Sequence, residues 1–204
     1  MRLRSALISA MIICAVLPAA ASASTVWEVH EGVGVWKVLP AGTPLTVGTS
    51  GNLTFKNYKG STLITTIKCS IIDSEEIENV AGSTGVLEGI DRMTEFRFVT
   101  CTGTKNGGCP TGTALSLNAV LAPVWTSKLV EIAGIKRDEI NAEVQVLCNN
   151  AVFNTLSGVL TPSVTVNKLN FQNVGGGSLA GGGVTSVVAG SDALAPPAPY
   201  TKVR

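Results

Sequence analysis

The segment LITTIKCSII, Leu63 to Ile72, decides the fold. Leu63, Thr65, Ile67, Cys69 and Ile71 occupy every second position. A period of two places them on one face of an extended strand. Cys69 then faces inward, where a structural disulfide would sit.

The same alternation recurs along the chain. TEFRFVT, Thr94 to Thr100, sets Phe96 and Phe98 against Glu95 and Arg97 and runs into Cys101. Leu115, Leu117, Ala119 and Leu121 alternate, as do Ile140, Ala142, Val144, Val146 and Cys148. Leu45 to Val47 and Leu53 to Phe55 flank Thr49-Ser50-Gly51-Asn52, a hairpin signal. Further strands are expected at Trp27 to Leu39, Phe153 to Leu160, Ser163 to Phe171 and Val184 to Val188. No helical period runs beyond a turn or two. The sum is about nine to eleven short strands with frequent turn signals, which predicts an all-β fold, an antiparallel sandwich or barrel. Asp73 to Glu78 (DSEEIE) reads as an acidic turn, and Lys136-Arg137-Asp138-Glu139 as a solvated one. Gly175-Gly176-Gly177 and Gly181-Gly182-Gly183 read as a flexible loop, and Ala193 to Arg204, with Pro196, Pro197 and Pro199, as a flexible tail.

Residues 1–23 carry a second signal. Arg2 and Arg4 precede the apolar run Ala6 to Val16, which leads to Pro18 and Ala19-Ala20-Ala21-Ser22-Ala23. This is the pattern of a secretory signal peptide cleaved after Ala23. The run is too short for a membrane span, which needs about 20 apolar residues, and no integral segment is expected after cleavage. The remaining stretch, 24–192, reads as one secreted β domain followed by the tail 193–204. Loss of Arg2 and Arg4 leaves 13 basic residues against 14 acidic, a net charge near −1. Such a surface has no basic field to draw in nucleic acid. Charged residues are 14% of the chain and aromatics 5%; few charges with much Thr, Val, Ser and Gly suit strands and turns rather than helical bundles.

Four cysteines follow the leader: Cys69, Cys101, Cys109 and Cys148. An even count in an oxidising compartment predicts two disulfides, with three possible pairings. The favoured pairing is Cys101–Cys109 across a loop holding Gly103, Gly107 and Gly108, with Cys69–Cys148 joining distant strands. Zinc would call for short C-x-x-C pairs or several histidines, and the chain has one His.

The strand ending in Cys69, the end Phe96, Phe98, Cys101, the Gly-rich loop to Cys109-Pro110, the strand ending in Cys148 and Ser157-Gly158-Val159-Leu160-Thr161-Pro162 form an ordered series. From about Gly60 to Leu179 this series resembles a large, mostly uncharacterised group of secreted β-rich proteins from soil bacteria. The resemblance implies secretion, a β architecture and two bridges, and supplies no activity and no site residues.

Catalytic constellations are poorly represented. His30 stands between Glu28 and Glu31, but no G-x-S-x-G accompanies it. Asp73, Glu75, Glu76, Glu78, Glu88 and Asp91 could supply a glycosidase pair, yet the chain has few aromatics for sugar platforms. Asp73, Glu75, Glu76 and Glu78 are also candidate oxygen ligands for Ca²⁺, although the D-x-D-x-D-G pattern is missing; the plain reading is an acidic turn. Trp27, Trp36 and Trp125 could form a ligand face, or serve as core. No cofactor is expected. The sequence points to a non-enzymatic extracellular or surface-associated structural or interaction protein, its partner another copy through strand edges or an extracellular ligand. The alternative is a monomeric binding module for a small molecule, glycan or hydrophobic ligand.

Overall fold

The computed structural model describes residues 25–30, 34–46, 51–81, 87–121, 125–166, 168–172, 175–193 and 201–203. Residues 1–23, read above as a leader, lie outside the described residues. In chain order the strands are β1 Trp27–His30, β2 Trp36–Val38, β3 Thr43–Thr46, β4 Gly51–Lys59, β5 Thr62–Ile77 and β6 Val80–Ala81. They continue with β7 Leu87–Glu88, β8 Ile90–Gly103, β9 Leu115–Ala119, β10 Thr126–Ile132, β11 Ile135–Cys148 and β12 Ala151–Leu160. β13 Ser163–Thr165, β14 Lys168–Phe171, β15 Gly177–Gly181, β16 Val184–Ala193 and β17 Thr201–Val203 complete the set. Among the described residues, no helix is long and apolar enough to cross a membrane.

The expected all-β class holds, in its barrel form. Twelve strands form one antiparallel sheet, and it closes on itself. The order β10-β8-β5-β4-β16-β14-β13-β11 becomes a ring because β10 also pairs with β11. A branch from β11 through β12 and β15 returns to β16. The wall between β11 and β16 is therefore built by β13 and β14 at one end and by β12 and β15 at the other. The closure is partial: β10 joins β8 only at Ile90, Asp91 and Arg92, and above them β8 pairs with β5 alone and β9 with β11 alone, so an edge of each stays unpaired.

Alternation sets the interior. In β5, Thr65, Ile67, Cys69, Ile71, Asp73, Glu75 and Ile77 are all buried, with exposed or half-buried residues between them. Leu53 and Phe55 from β4, Ile140, Ala142, Val144 and Val146 from β11, and Val188 from β16 meet them. Phe96 and Phe98 stack edge-on at 5.1 Å between centroids, and Phe96 lies 4.9 Å from Trp125. The void these rings leave is about 10 Å³, room for roughly one water molecule. The barrel interior is packed core.

Two-residue turns with positive φ close three hairpins: Ala133-Gly134 (52°, 75°), Asn149-Asn150 (49°, 63°) and Gly182-Gly183 (56°, 74°). This left-handed pair matches the right-handed strand twist. The lower end of the barrel, where β5 finishes and β8 begins, is covered by a small sheet in the order β17-β1-β2. Asn79 fastens it: its Nδ2 donates to Trp27 O and Leu39 O, and its Oδ1 accepts from Trp27 N. Gly89 permits the close fit, since a Cβ there would lie 2.4 Å from Leu129 Cδ1 and 2.7 Å from Thr25 O.

Several expectations are corrected. The strands among the described residues number seventeen; pieces of two to four residues such as β6, β7 and β13 are too short to show a period. The DSEEIE stretch is no turn but the continuation of β5 to Ile77. Arg137 and Asp138 are buried within β11, and the solvated turn lies earlier, at Ala133-Gly134. The glycine cluster supplies β15, whose Gly177 and Gly181 let the strand approach its neighbour: an added Cβ would fall 2.1 Å from Val159 O and 1.8 Å from Thr155 O, respectively. Within the stretch read as a tail, Thr201–Val203 pair with Trp27–Val29.

The favoured disulfide pairing is also overturned. Cys69 and Cys101 face each other directly across β5 and β8, with Cα atoms 4.2 Å apart, and are bonded. After Gly103 the chain makes a left-handed turn at Lys105, Asn106 and Gly107 (φ 48°, 52°, 65°). That turn carries Cys109 to the end of β11, where it bonds Cys148. Each bridge closes a loop of 32 or 39 residues, worth about 4 kcal/mol in the chain-entropy model. Non-reducing peptide mapping is expected to return Cys69–Cys101 and Cys109–Cys148; a Cys101–Cys109 peptide would refute the pairing. Replacing Cys109 and Cys148 together by Ser is expected to lower the unfolding free energy by about 4 kcal/mol in denaturant titration.

Candidate functional site

The proposed tryptophan face does not form. Trp27 is fully buried under the lower end of the barrel, Trp125 stacks on Phe96 inside it, and Trp36 is half-buried on β2. The four Ca²⁺ candidates divide by parity. Glu76 and Glu78 point outward to Arg92, at 2.5 Å and 3.2 Å. Asp73 and Glu75 point inward, 0% and 3% exposed.

There they meet a third carboxylate that the sequence reading did not single out. Asp192, near the end of β16, is 1% exposed, and its carboxylate, with those of Asp73 and Glu75, lies in a group whose ligand atoms are all within 4.8 Å of one another. Two more buried acids, Asp91 on β8 and Asp138 on β11, bear on Glu75 electrostatically. Five carboxylates from four strands thus converge on the lower interior, below the aromatic core and behind Trp27. Asp192 also lines the small void beside Phe55, Phe96 and Trp125.

Each acid has a local reason for facing inward. β5 carries Asp73 and Glu75 in the same register as Ile71 and Ile77. Asp91 depends on a bulge. Ser74 pairs with Glu95 but Glu75 with Met93, so Thr94 is an extra residue in β8. That extra residue switches the inward set from Phe96 and Phe98 to Met93 and Asp91. The Thr94 hydroxyl donates to Ser74 O at 2.9 Å and secures the bulge. Asp138 precedes the inward residues Ile140 and Ala142 on the same face. Its neighbour Arg137 turns to the other side, where Nη1 donates to Thr161 O.

Burial governs the chemistry. A carboxylate moved out of water loses its hydration, so the neutral acid is favoured. Glu75 is raised well above its ordinary value, first by burial and then by the charges of Asp91, Asp73, Asp138 and Asp192. Asp138 is raised by burial first and then by Asp91, with the nearby Ser127 hydroxyl opposing the shift. Asp91 is raised to about 6, first by burial and slightly by Glu78, while Ser127 and the nearby Trp27 indole hold it down. The Ser127 hydroxyl donates to Asp91 Oδ1. Glu75 Oε2, Asp91 Oδ2 and Asp138 Oδ1 are left without a hydrogen-bond partner. On the outer face, Glu88 and Glu95 form ion pairs with Lys128 and Arg97.

An all-oxygen set of this kind suits a hard cation rather than zinc or copper. The sole histidine, His30, lies on β1, where its backbone pairs with Trp36. Compared with protein-family models, with curated proteins and with solved structures, the chain matches none of them.

A group whose pKa is raised on folding favours the protonated native state. The stability it permits is complete below its ordinary value and declines as pH climbs through the folded value. For Asp91 that window runs from 3.8 to about 6. In chelator-containing buffer, unfolding free energy is therefore expected to fall between about pH 4 and pH 6. Asp91→Asn keeps an acceptor for Ser127 and should recover about 3 kcal/mol at neutral pH. A flat denaturant-derived stability profile over that window, unchanged in Asp91→Asn, would contradict it.

Proposed function

We propose that this protein is a non-enzymatic extracellular module, structural or surface-associated, that works through its outer face and binds further copies of itself. The observation that carries this reading is an inversion of the usual arrangement for a carrier. The aromatic core leaves a void of about 10 Å³ and the upper mouth, between Asn57, Thr65, Val146 and Phe153, one of about 60 Å³, while several large apolar side chains are exposed. Val152 and Phe153 are 54% and 56% exposed on consecutive positions of β12. They follow the Asn149-Asn150 turn at the upper, disulfide-bonded end of the barrel. Leu63, at the start of β5 and at that same end, is 48% exposed.

A second copy of the chain is the occupant best suited to this surface. A net charge near −1 for residues 24–204 gives little self-repulsion. Partial closure leaves β9 paired on one side only, with β11, so a strand edge remains for contact beside the hairpin tips. The signal-peptide pattern and two disulfides support an extracellular setting, as does the resemblance to secreted β-rich proteins of soil bacteria. A monomeric carrier of a small hydrophobic molecule would need a cavity several hundred Å³ in size, and the filled interior weighs against it.

Light scattering on a sizing column tests the reading. Native mass is expected to rise over roughly a hundredfold increase in concentration, in the manner of mass action. Phe153→Ser with Val152→Ser is expected to hold the protein monomeric without loss of its thermal transition. A wild-type monomer throughout the range would refute self-association.

A further inference from the structure

We propose that Asp73, Glu75 and Asp192 form an internal binding site for a divalent cation, Ca²⁺, at the lower end of the barrel. The site is separate from the outer apolar surface and does not depend on that surface's role.

Geometry is the first support. Oxygen ligands about 2.3–2.6 Å from a Ca²⁺ ion lie at most about 5 Å from one another across it. The ligand atoms of Asp73, Glu75 and Asp192 fall within 4.8 Å. The three come from two strands, β5 and β16, whose register is fixed through β4: Asp192 pairs with Gly51, and Gly51 with Ile71. A cation there would link parts of the barrel that are far apart in sequence.

The second support comes from two further acids. Asp91 Oδ2 and Asp138 Oδ1 belong to side chains only 2% and 1% exposed, have no hydrogen-bond partner, and act on Glu75 through their charge. Buried polar atoms are nearly always satisfied, and unsatisfied ones call for an explanation such as an ion. Repeated acids from separate strands accumulate negative potential that a hard cation would neutralise.

The ligand chemistry selects among metals. Carboxylate oxygens without thiolate or imidazole favour Ca²⁺ or Mg²⁺ over zinc. Mg²⁺ keeps several waters and demands octahedral geometry, whereas Ca²⁺ accepts more protein oxygens in an irregular shell. The lower end is closed by Trp27 and the ribbon fastened by Asn79, which restricts water and favours Ca²⁺.

The test uses the full mature chain, stripped with chelator and titrated at neutral pH. Isothermal titration with CaCl₂ is expected to show one ion per chain. Thermal melting at a hundredfold excess over Kd is expected to show a rise of about 5–10 °C, and MgCl₂ a smaller one. Glu75→Gln and Asp192→Asn are expected to abolish both responses, and Glu76→Gln, on the outer face, to leave them intact. If a variant fails to fold, Tb³⁺ luminescence of the wild type provides a second measurement. Emission sensitised by tryptophan and displaced by Ca²⁺ supports the site. Neither heat nor a melting shift at about 10 mM CaCl₂, beyond the weakest extracellular sites, overturns the proposal. So does a Ca²⁺ response that survives in folded Glu75→Gln and Asp192→Asn, or Tb³⁺ emission that Ca²⁺ does not displace.

Discussion

The pairing of β5 with β8 governs this barrel. It runs from Ile67 opposite Gly103 to Ile77 opposite Asp91 and carries the Cys69–Cys101 bond near its upper end. Because side chains alternate, fixing the register at one bonded pair fixes which face each residue of β5 presents. The apolar residues Ile67 and Ile71 and the acids Asp73 and Glu75 follow from the same parity. A slip of one residue would turn all of them outward and bring Lys68 into the core.

β8 cannot obey that parity along its whole length. It must place Cys101, Phe96, Phe98 and Asp91 inside, a set of odd and even positions that no regular strand presents on one face. Two extra residues solve this. Val99 is unpaired between Phe98 and Thr100, and Thr94 between Met93 and Glu95. Each reverses the parity, at the cost of one local break in the ladder. The exposed position of Val99 is a direct consequence, since a residue left over by the bulge has no inward face to occupy.

These bulges mark where sequence reading reached its limit. Long alternating runs were legible: Leu63 to Ile72, Thr94 to Thr100 and Ile140 to Cys148 all lie in strands. Carrying the β5 parity four residues past Ile71 would have placed Asp73 and Glu75 inside. The charge of DSEEIE argued for a turn instead, because charged runs are usually solvated. Asp91 was hidden by the Thr94 bulge and Asp138 by its basic neighbours. Asp192 lay beside a proline-rich stretch. The disulfide pairing failed for another reason. The glycines between Cys101 and Cys109 showed that the segment could turn, but not the direction in which the left-handed residues Lys105 and Asn106 would send it.

The two ends of the barrel divide the physical work. The upper end holds the Cys109–Cys148 bond and the exposed apolar tip at Val152 and Phe153; the middle is the aromatic core. The lower end gathers five carboxylates where apolar residues would be the more stable filling. Burial raises the cost of charge there, and each acid intensifies it for the others. Two disulfides, a ring closed at this end through β10 and a capping ribbon give the fold enough constraint to hold such a cluster in place. Since the acids come from β5, β8, β11 and β16, whatever neutralises them, proton or cation, acts on most of the ring at once. The lower interior is therefore the part of this fold whose stability depends most on the solution around it.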